Sequence, residues 1–266
     1  MFAIIVSSKD PAGLNIKENL ISLGFEKTNK SFQSEPIYTK DNISLYTTKQ
    51  KIIETEHIDK EINASTIIFA SKHQSESGTP TLCCHFPGNF GKAAFGGKEK
   101  QVCPSTPLLL KKAYLKMKSL AHNEAFEVTL EVTHHGPLID TPCMFIEIGS
   151  TENEWKDKEA GNIIANTIIH IIESKLENQK IALGLGGNHY CSQFNKILEK
   201  TDIALSHICA KYNLEDLDKD LLKQAIKKSG KIDFILADWK NLSSHKQKIT
   251  ELCKELKLEL KRTNQL

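Results

Sequence analysis

From Phe126 to Thr133 apolar and polar residues alternate without a break. Phe126, Val128, Leu130 and Val132 fall on one side, and Glu127, Thr129, Glu131 and Thr133 on the other. A period of two is the pattern of a strand laid against a core, and it argues against a helix. The strand runs into His134-His135 and is stopped by Gly136-Pro137, because proline has no amide to donate to a sheet ladder. A second strand follows over residues 143–148, with Met144, Ile146 and Ile148 on one face and Glu147 on the other beside Cys143 and Phe145. A carboxylate inside such a run is costly unless it is paired or holds a metal. A link of about ten residues suits an antiparallel pair better than a helical crossover, so the two strands predict a mixed sheet. Regular extension of the first strand turns His134 toward the apolar side and His135 toward Thr133. Both then reach one ion only if the chain already turns at Gly136-Pro137.

The rest of the chain alternates strands and helices. Residues 2–6 read as a strand, and Asp10-Pro11 as the cap and first turn of a helix over 12–23 closed by Gly24. Residues 37–39 and 43–48 read as a hairpin, 66–70 and 81–85 as strands, and 106–121 as an amphipathic helix. A long helix is expected over 154–177, where Ile163, Ile164, Ile168, Ile171 and Ile172 give a helical period. A strand over 181–185, helices over 202–212 and 215–228, a strand over 232–237 and a charged helix over 245–260 complete the reading. No linker, repeat or low-complexity tract interrupts it. The pattern predicts one α/β domain over 1–266, a three-layer α/β/α sandwich around a mixed central sheet.

With 266 residues and a net charge of +2, the chain advertises no global basic field for nucleic acid. Arg262 is the only arginine, so phosphate contacts must come from lysines, backbone amides or helix N-termini. The seven cysteines form no Cys-x-x-Cys pair and their number is odd, which fits reduced thiols in a cytoplasmic protein. No apolar run approaches a membrane span, and residues 1–6 read as a strand rather than a signal peptide.

His85, His134 with His135, and His189 all stand where an expected strand meets a glycine-bearing loop, with Glu147 in a neighbouring strand. Such loops are where α/β folds gather their chemistry. There is no local metal motif, yet histidines and a carboxylate drawn from separate strands suit zinc with an open coordination position. Any one buried histidine is more often a hydrogen-bonded core residue, and only the grouping argues otherwise. His73 and His245 lie in polar context and are weaker candidates; His57, His122, His170 and His207 read as surface or helix-face residues. The Gly-rich stretch Ala93-Ala94-Phe95-Gly96-Gly97 lacks nucleotide-loop spacing. A serine triad lacks its Gly-x-Ser-x-Gly elbow, and Cys191 is a weak candidate nucleophile beside His189.

In order along the chain, these blocks resemble the D-aminoacyl-tRNA deacylase family of the archaeal and plant type, over nearly the whole length. Ile4-Ile5-Val6-Ser7-Ser8-Lys9-Asp10-Pro11-Ala12 is similar to the family's first strand and turn. Ser71-Lys72-His73 resembles a Ser-Arg-His element, with Lys72 in the arginine's place. His85-Phe86-Pro87-Gly88-Asn89 resembles its His-x-Pro-Gly-Asn loop. Glu131-Val132-Thr133-His134-His135-Gly136-Pro137 and Phe145-Ile146-Glu147-Ile148-Gly149-Ser150-Thr151-Glu152, with Trp155, are the most specific blocks. Gly184-Leu185-Gly186-Gly187-Asn188-His189-Tyr190 resembles a Gly-Gly-Gly-His-Tyr segment, with Asn188 for a glycine.

The resemblance implies a phosphorylase- or peptidyl-tRNA-hydrolase-like fold and a zinc-dependent esterase that removes D-amino acids, such as D-tyrosine, from mischarged tRNA. Neither the handedness nor the tRNA follows from composition or spacing. It implies metal ligands among His85, His134, His189 and Glu147, catalysis by His134, His135 and Glu147, and substrate contacts from Lys72, His73, Gly88, Asn89, Gly186, Gly187 and Tyr190. Loop amides at Gly88-Asn89 and Gly186-Gly187 would serve an oxyanion or a phosphate, and Lys72, Lys92 and Lys98 the RNA backbone. Lys72 keeps a charge but loses the bidentate fork, and Asn188 tolerates a left-handed backbone. The expected partner is the aminoacylated tRNA end, bound by a monomer or a weak dimer. A zinc hydrolase of a small ester or amide, and a non-catalytic tRNA-end-binding protein, are the rival readings.

Overall fold

The structure, a computed structural model, describes residues 1–121 and 125–266; His122 lies outside them. In chain order the strands and helices are β1 Phe2–Ser7, α1 Pro11–Ser22, β2 Glu26–Phe32, β3 Glu35–Lys40, β4 Ile43–Thr48, β5 Thr66–Lys72, β6 Thr81–His85, β7 Gly88–Asn89 and β8 Gln101–Val102. Then come α2 Pro107–Leu120, β9 Glu127–Leu130, β10 Cys143–Gly149, α3 Glu152–Trp155, α4 Lys158–Glu173, β11 Lys180–Gly187 and α5 Ser192–Lys200. The chain continues through β12 Ile203–Ala210, α6 Lys219–Lys228, β13 Phe234–Ala237, α7 Lys246–Glu255 and β14 Leu260–Arg262.

Local chemistry sets several of these bounds. Asp10 caps α1, its Oδ1 accepting from the Gly13 amide at 3.0 Å, a contact worth about 1 kcal/mol, and Gly24 closes the helix end at φ +98°. The long helix expected over 154–177 is two helices, because the sequence carries two start signals in succession. Thr151 and Glu154 form a capping box for α3, and Asp157 caps α4, its Oδ1 accepting from the Ala160 amide at 2.8 Å. Asn15 of α1 satisfies the break by donating to the carbonyls of Trp155 and Asp157.

A mixed eight-stranded sheet runs β2-β3-β4-β1-β5-β10-β6-β9, and a second, parallel sheet runs β12-β11-β13-β14. The mixed sheet is as expected, but the pairing behind that expectation is not. β9 and β10 are not neighbours: β6 lies between them, antiparallel to β10 and parallel to β9. The link, residues 131–142, does not form a hairpin: it leaves the sheet to reach β12, the Thr133 amide donating to Ile208 O at 2.9 Å. The helix expected over 202–212 is the strand β12, buried at all eight positions. Although β12 is the edge strand of its sheet, it is buried along its whole length, and a parallel strand so covered has no alternation to show, so its apolar run reads equally well as helix. His207 of this strand is buried, not on a surface. The expected helix over 245–260 stops at Glu255, and the chain re-enters as β14. β2, mostly exposed and polar, carries no strand signal.

Helices α1, α2, α4 and α5 pack one continuous core against both sheets, including Ile4, Met144, Ile146 and Ile148 of the large sheet and Ala182 and Leu205 of the small one. α6 and α7 cover the far face of the small sheet. The far face of the large sheet, with Phe69, Cys143 and Phe145, is covered instead by the short 3-10 turns Ile52–Glu54 and Ile58–Lys60 and by Leu138 and Ile139. That helix-free face is where the polar residues gather.

A candidate metal and hydrolytic site

Strand register builds the floor of the site. β5, β10 and β6 align Ser71 with Glu147 and Cys83, and Phe69 with Phe145 and His85. β6 aligns Cys83 with Thr129 of β9, so the next inward position after Thr129, Glu131, falls beside His85. Two cross-strand rows result, one aromatic and one polar, on the face that no helix covers. His85 lies flat on Phe145, ring centroids 5.1 Å apart and planes within 6°. Ser71 Oγ donates to Glu147 Oε1 at 2.6 Å.

The roof comes from the link after β9. His135 takes φ +46°, and this left-handed residue ends the strand alternation that would send His134 and His135 opposite ways. Their rings meet at 4.4 Å, and both pack on His85, at 4.3 and 4.8 Å. One ligand atom from each of His85, His134 and His135 lies within 4.8 Å of the other two.

Each of these imidazoles is held by the same device. His134 Nδ1 meets Val132 O at 2.8 Å, His135 Nδ1 meets Gly136 O at 2.6 Å, and His85 Nδ1 meets Phe86 O at 3.2 Å. A carbonyl only accepts, so each Nδ1 carries the hydrogen and each Nε2 is left as a bare lone pair. Burial lowers the affinity of all three rings for a second proton, to about 4 for His85 and His135 and well below the ordinary value for His134, where the neighbouring histidines add to it. Three neutral rings packed together, each with its Nε2 lone pair free, are in the form a metal ligand takes.

Glu131 lies beneath them and was not among the residues the sequence singled out. Its carboxylate approaches His73 Nδ1 at 3.2 Å, His189 Nε2 at 3.4 Å, His134 Nε2 at 3.8 Å and His85 Nε2 at 3.9 Å. Burial raises its pKa, but the surrounding histidines outweigh that and hold it below the usual value. In return the carboxylate lifts His189 above its ordinary value. The alternation 126–133 put Glu131 on a polar side that looks solvated; Glu127 of β9 is exposed, but Glu131, just past the strand's end and bridged to Tyr190, is buried.

Glu147 differs. Burial pushes it up to about 7, reinforced by the Glu131 charge and opposed by His135, His73 and Ser71. Its Oε2 is 3.4 Å from His85 Nε2.

A cavity of about 670 Å3 opens over this cluster, with Glu147, His134, His135, His189 and His73 in its wall and Lys72 among its lining. Lys72 Nζ sits 4.4 Å above the Trp155 ring. His73 Nε2 is 3.0 Å from the Tyr190 hydroxyl, so both expected substrate residues belong to the carboxylate network. Gly88 and Asn89 are engaged elsewhere. The Gly88 amide donates to His135 O at 2.8 Å, and Asn89 Nδ2 holds the carbonyls of Gly96 and Lys98. They position the histidine loop and leave no Gly88 amide for an oxyanion. Gly186 and Gly187 are buried at the end of β11; a Cβ on Gly187 would meet Ile208, Val132 and Cys191. Asn188 keeps a negative φ, the left-handed residue of that turn being Gly186 at +93°. The seven cysteines are free and buried, and burial first of all pushes the Cys191 thiol far up, unsuited to a nucleophile.

A family model for D-aminoacyl-tRNA deacylase matches residues 60–261. The chain is 38% identical to the D-aminoacyl-tRNA deacylase of Pyrococcus furiosus over 97% of this chain and 98% of that protein. It is 36% identical to that of Archaeoglobus fulgidus over 96% and 94%. The crystal structure of a conserved protein of unknown function matches it with a TM-score of 0.93 at 34% identity, covering 100% of this chain and 96% of that one. With so much of both lengths matched, the chain belongs to the D-aminoacyl-tRNA deacylase family.

Proposed function

We propose that this protein hydrolyses the ester joining a D-amino acid, such as D-tyrosine, to the terminal ribose of its tRNA, with zinc in the histidine cluster. Family membership supports the substrate. The metal rests on one observation: His85 Nε2 is buried without a hydrogen-bond partner, in a cluster where one ligand atom each of His85, His134 and His135 lie within 4.8 Å of one another. Orphaned buried acceptors are expensive, and a cation is the group that satisfies lone pairs from several sides at once.

The residues that would hold it are His85, His134 and His135 through Nε2, with Glu147 beside them. His189 was expected as a ligand, but the Glu131 carboxylate favours its protonated form, which suits an ion pair. When bound, zinc would supply Lewis-acid polarisation of the ester carbonyl and a more acidic water. The chain's own groups do the rest. Ser71 fixes one oxygen of Glu147, and the other, held only by a long contact from the Cys83 thiol at 3.9 Å, takes a proton from the attacking water, a task matched by a pKa near 7. Glu131 pairs with His73 and His189, fixing two rings of the cavity wall. Lys72, Lys92 and Lys98 attract the RNA backbone in a salt-dependent way. No described helix is long and apolar enough to cross a membrane, and the free buried cysteines suit a reducing cytoplasm, where charged tRNA is found.

D-Tyr-tRNA and L-Tyr-tRNA offered to the protein before and after metal stripping test this reading. Preferential cleavage of the D-ester, lost on chelation and restored by zinc, is expected, and His134→Ala should lower turnover on the order of 1000-fold, the worth of several kcal/mol. A rate indifferent to chelation removes the metal from the account. Cleavage of a free D-tyrosine ester as fast as the charged tRNA would replace it with a small-ester hydrolase.

A further inference from the structure

Residues 92–98 hold a feature that ester hydrolysis leaves without a task. Phe95 is 69% exposed, the most exposed large apolar side chain among the described residues. A lone exposed phenylalanine needs no explanation, but this one stands on a clamped backbone. Its carbonyl accepts from the Gly136 amide at 2.9 Å, and the Gly97 amide donates to Glu56 Oε1 at 2.7 Å. Asn89 holds Gly96 O and Lys98 O. Gly96 and Gly97 take φ of +75° and +76°, and a Cβ on Gly96 would fall 1.9 Å from Ile53 O. The loop is therefore fixed one residue beyond the ring, while the ring itself is left to solvent at the edge of the cavity that His135 and Glu147 line. Lys92 and Lys98 on the same loop are exposed.

A preorganised aromatic face beside lysines is how proteins hold single-stranded nucleic-acid ends. If the scissile ester sits over His135 and Glu147, the base on the same ribose is one glycosidic bond away, at the cavity mouth. We propose that Phe95 is the stacking platform for the terminal base of the tRNA. The proposal rests on the deacylase reading, which brings an RNA 3′ end to this cavity.

Uncharged RNA tests it independently of catalysis. Short single strands ending in CCA, with the last base present or replaced by an abasic nucleotide, are titrated by fluorescence anisotropy against the zinc-loaded wild type, Phe95→Ala and Phe95→Trp. Phe95→Ala should weaken binding of the intact end by about 10-fold, the scale of one base–aromatic stack. Removing the base should weaken the wild type equally, the alanine variant should bind both ends alike, and Phe95→Trp should retain the preference. Equal affinity of Phe95→Ala and wild type for the intact end overturns the proposal. So does a deficit that persists with the abasic end, which would assign the ring to another contact. Stacking without cleavage of any D-aminoacyl ester would refute the deacylase reading and leave this one standing.

Discussion

Two histidines of this protein are equally buried and differ in what their nitrogens touch. His207 and His85 are both fully inaccessible. His207 is closed: Nδ1 meets Thr133 Oγ1 at 3.1 Å and Nε2 meets Cys103 O at 2.9 Å. His85 is open: Nδ1 is anchored on Phe86 O, while Nε2 has no hydrogen-bond partner and faces two carboxylates and two more imidazoles. Burial lowers both to about 4, so neither exposure nor protonation separates a core histidine from a working one. The unclaimed lone pair of His85, set among other ligand-type side chains, does, because a folded interior otherwise pairs most of its buried polar atoms.

The contrast can be broken from either side. On the open side, Glu147→Gln should reduce turnover about 100-fold or more. It should also remove a rise in rate with pH. Glu147 acts as a base only when ionised, so activity falls as pH drops through its pKa. That pKa is no higher than about 7, since a bound cation would pull it below the value burial gives. An unchanged profile in the variant would transfer the base to another group. On the closed side, His207→Ala should cost about 3 kcal/mol of stability, from a cavity and two partners left unpaired, while turnover per folded molecule stays within about threefold. The sign of its pH dependence follows from the depressed pKa. Above about 6.5 the ring is neutral in both states and its contribution is whole. As pH falls toward 4 the unfolded chain takes the proton first, and the contribution shrinks. The stability gap between wild type and variant should therefore narrow by about 2 kcal/mol between pH 7 and pH 5; urea titrations at the two pH values measure it.

The same contrast explains what was legible in the sequence. His85, His134, His135 and Glu147 could be picked out because each is a polar residue at a turn or inside an apolar run, and the Asp10 cap and the face shared by Met144, Ile146 and Ile148 are local patterns that tertiary packing left intact. Glu131 and His207 were hidden by the same cause. Each lies in buried extended chain, Glu131 just past the end of β9 and His207 within β12, where a polar side no longer means solvent and an apolar run no longer means helix. The meeting of His134 with His135 was also out of reach, because alternation holds only while the chain stays extended, and the left-handed backbone of His135 ends that. That β6 separates β9 from β10 is a long-range fact with no local trace.

The central claim is that three imidazoles, each pinned through Nδ1 to a backbone carbonyl, present bare Nε2 atoms to one metal ion. Nitrogen-15 NMR of the histidine rings, metal-free and then titrated with zinc, tests it most directly. The account predicts the Nδ1–H tautomer for His85, His134 and His135 before zinc, movement of their Nε2 resonances on addition, and no response from His207. A hydrogen on Nε2 of any of the three in the neutral metal-free ring, or Nε2 resonances that zinc leaves in place, would contradict it.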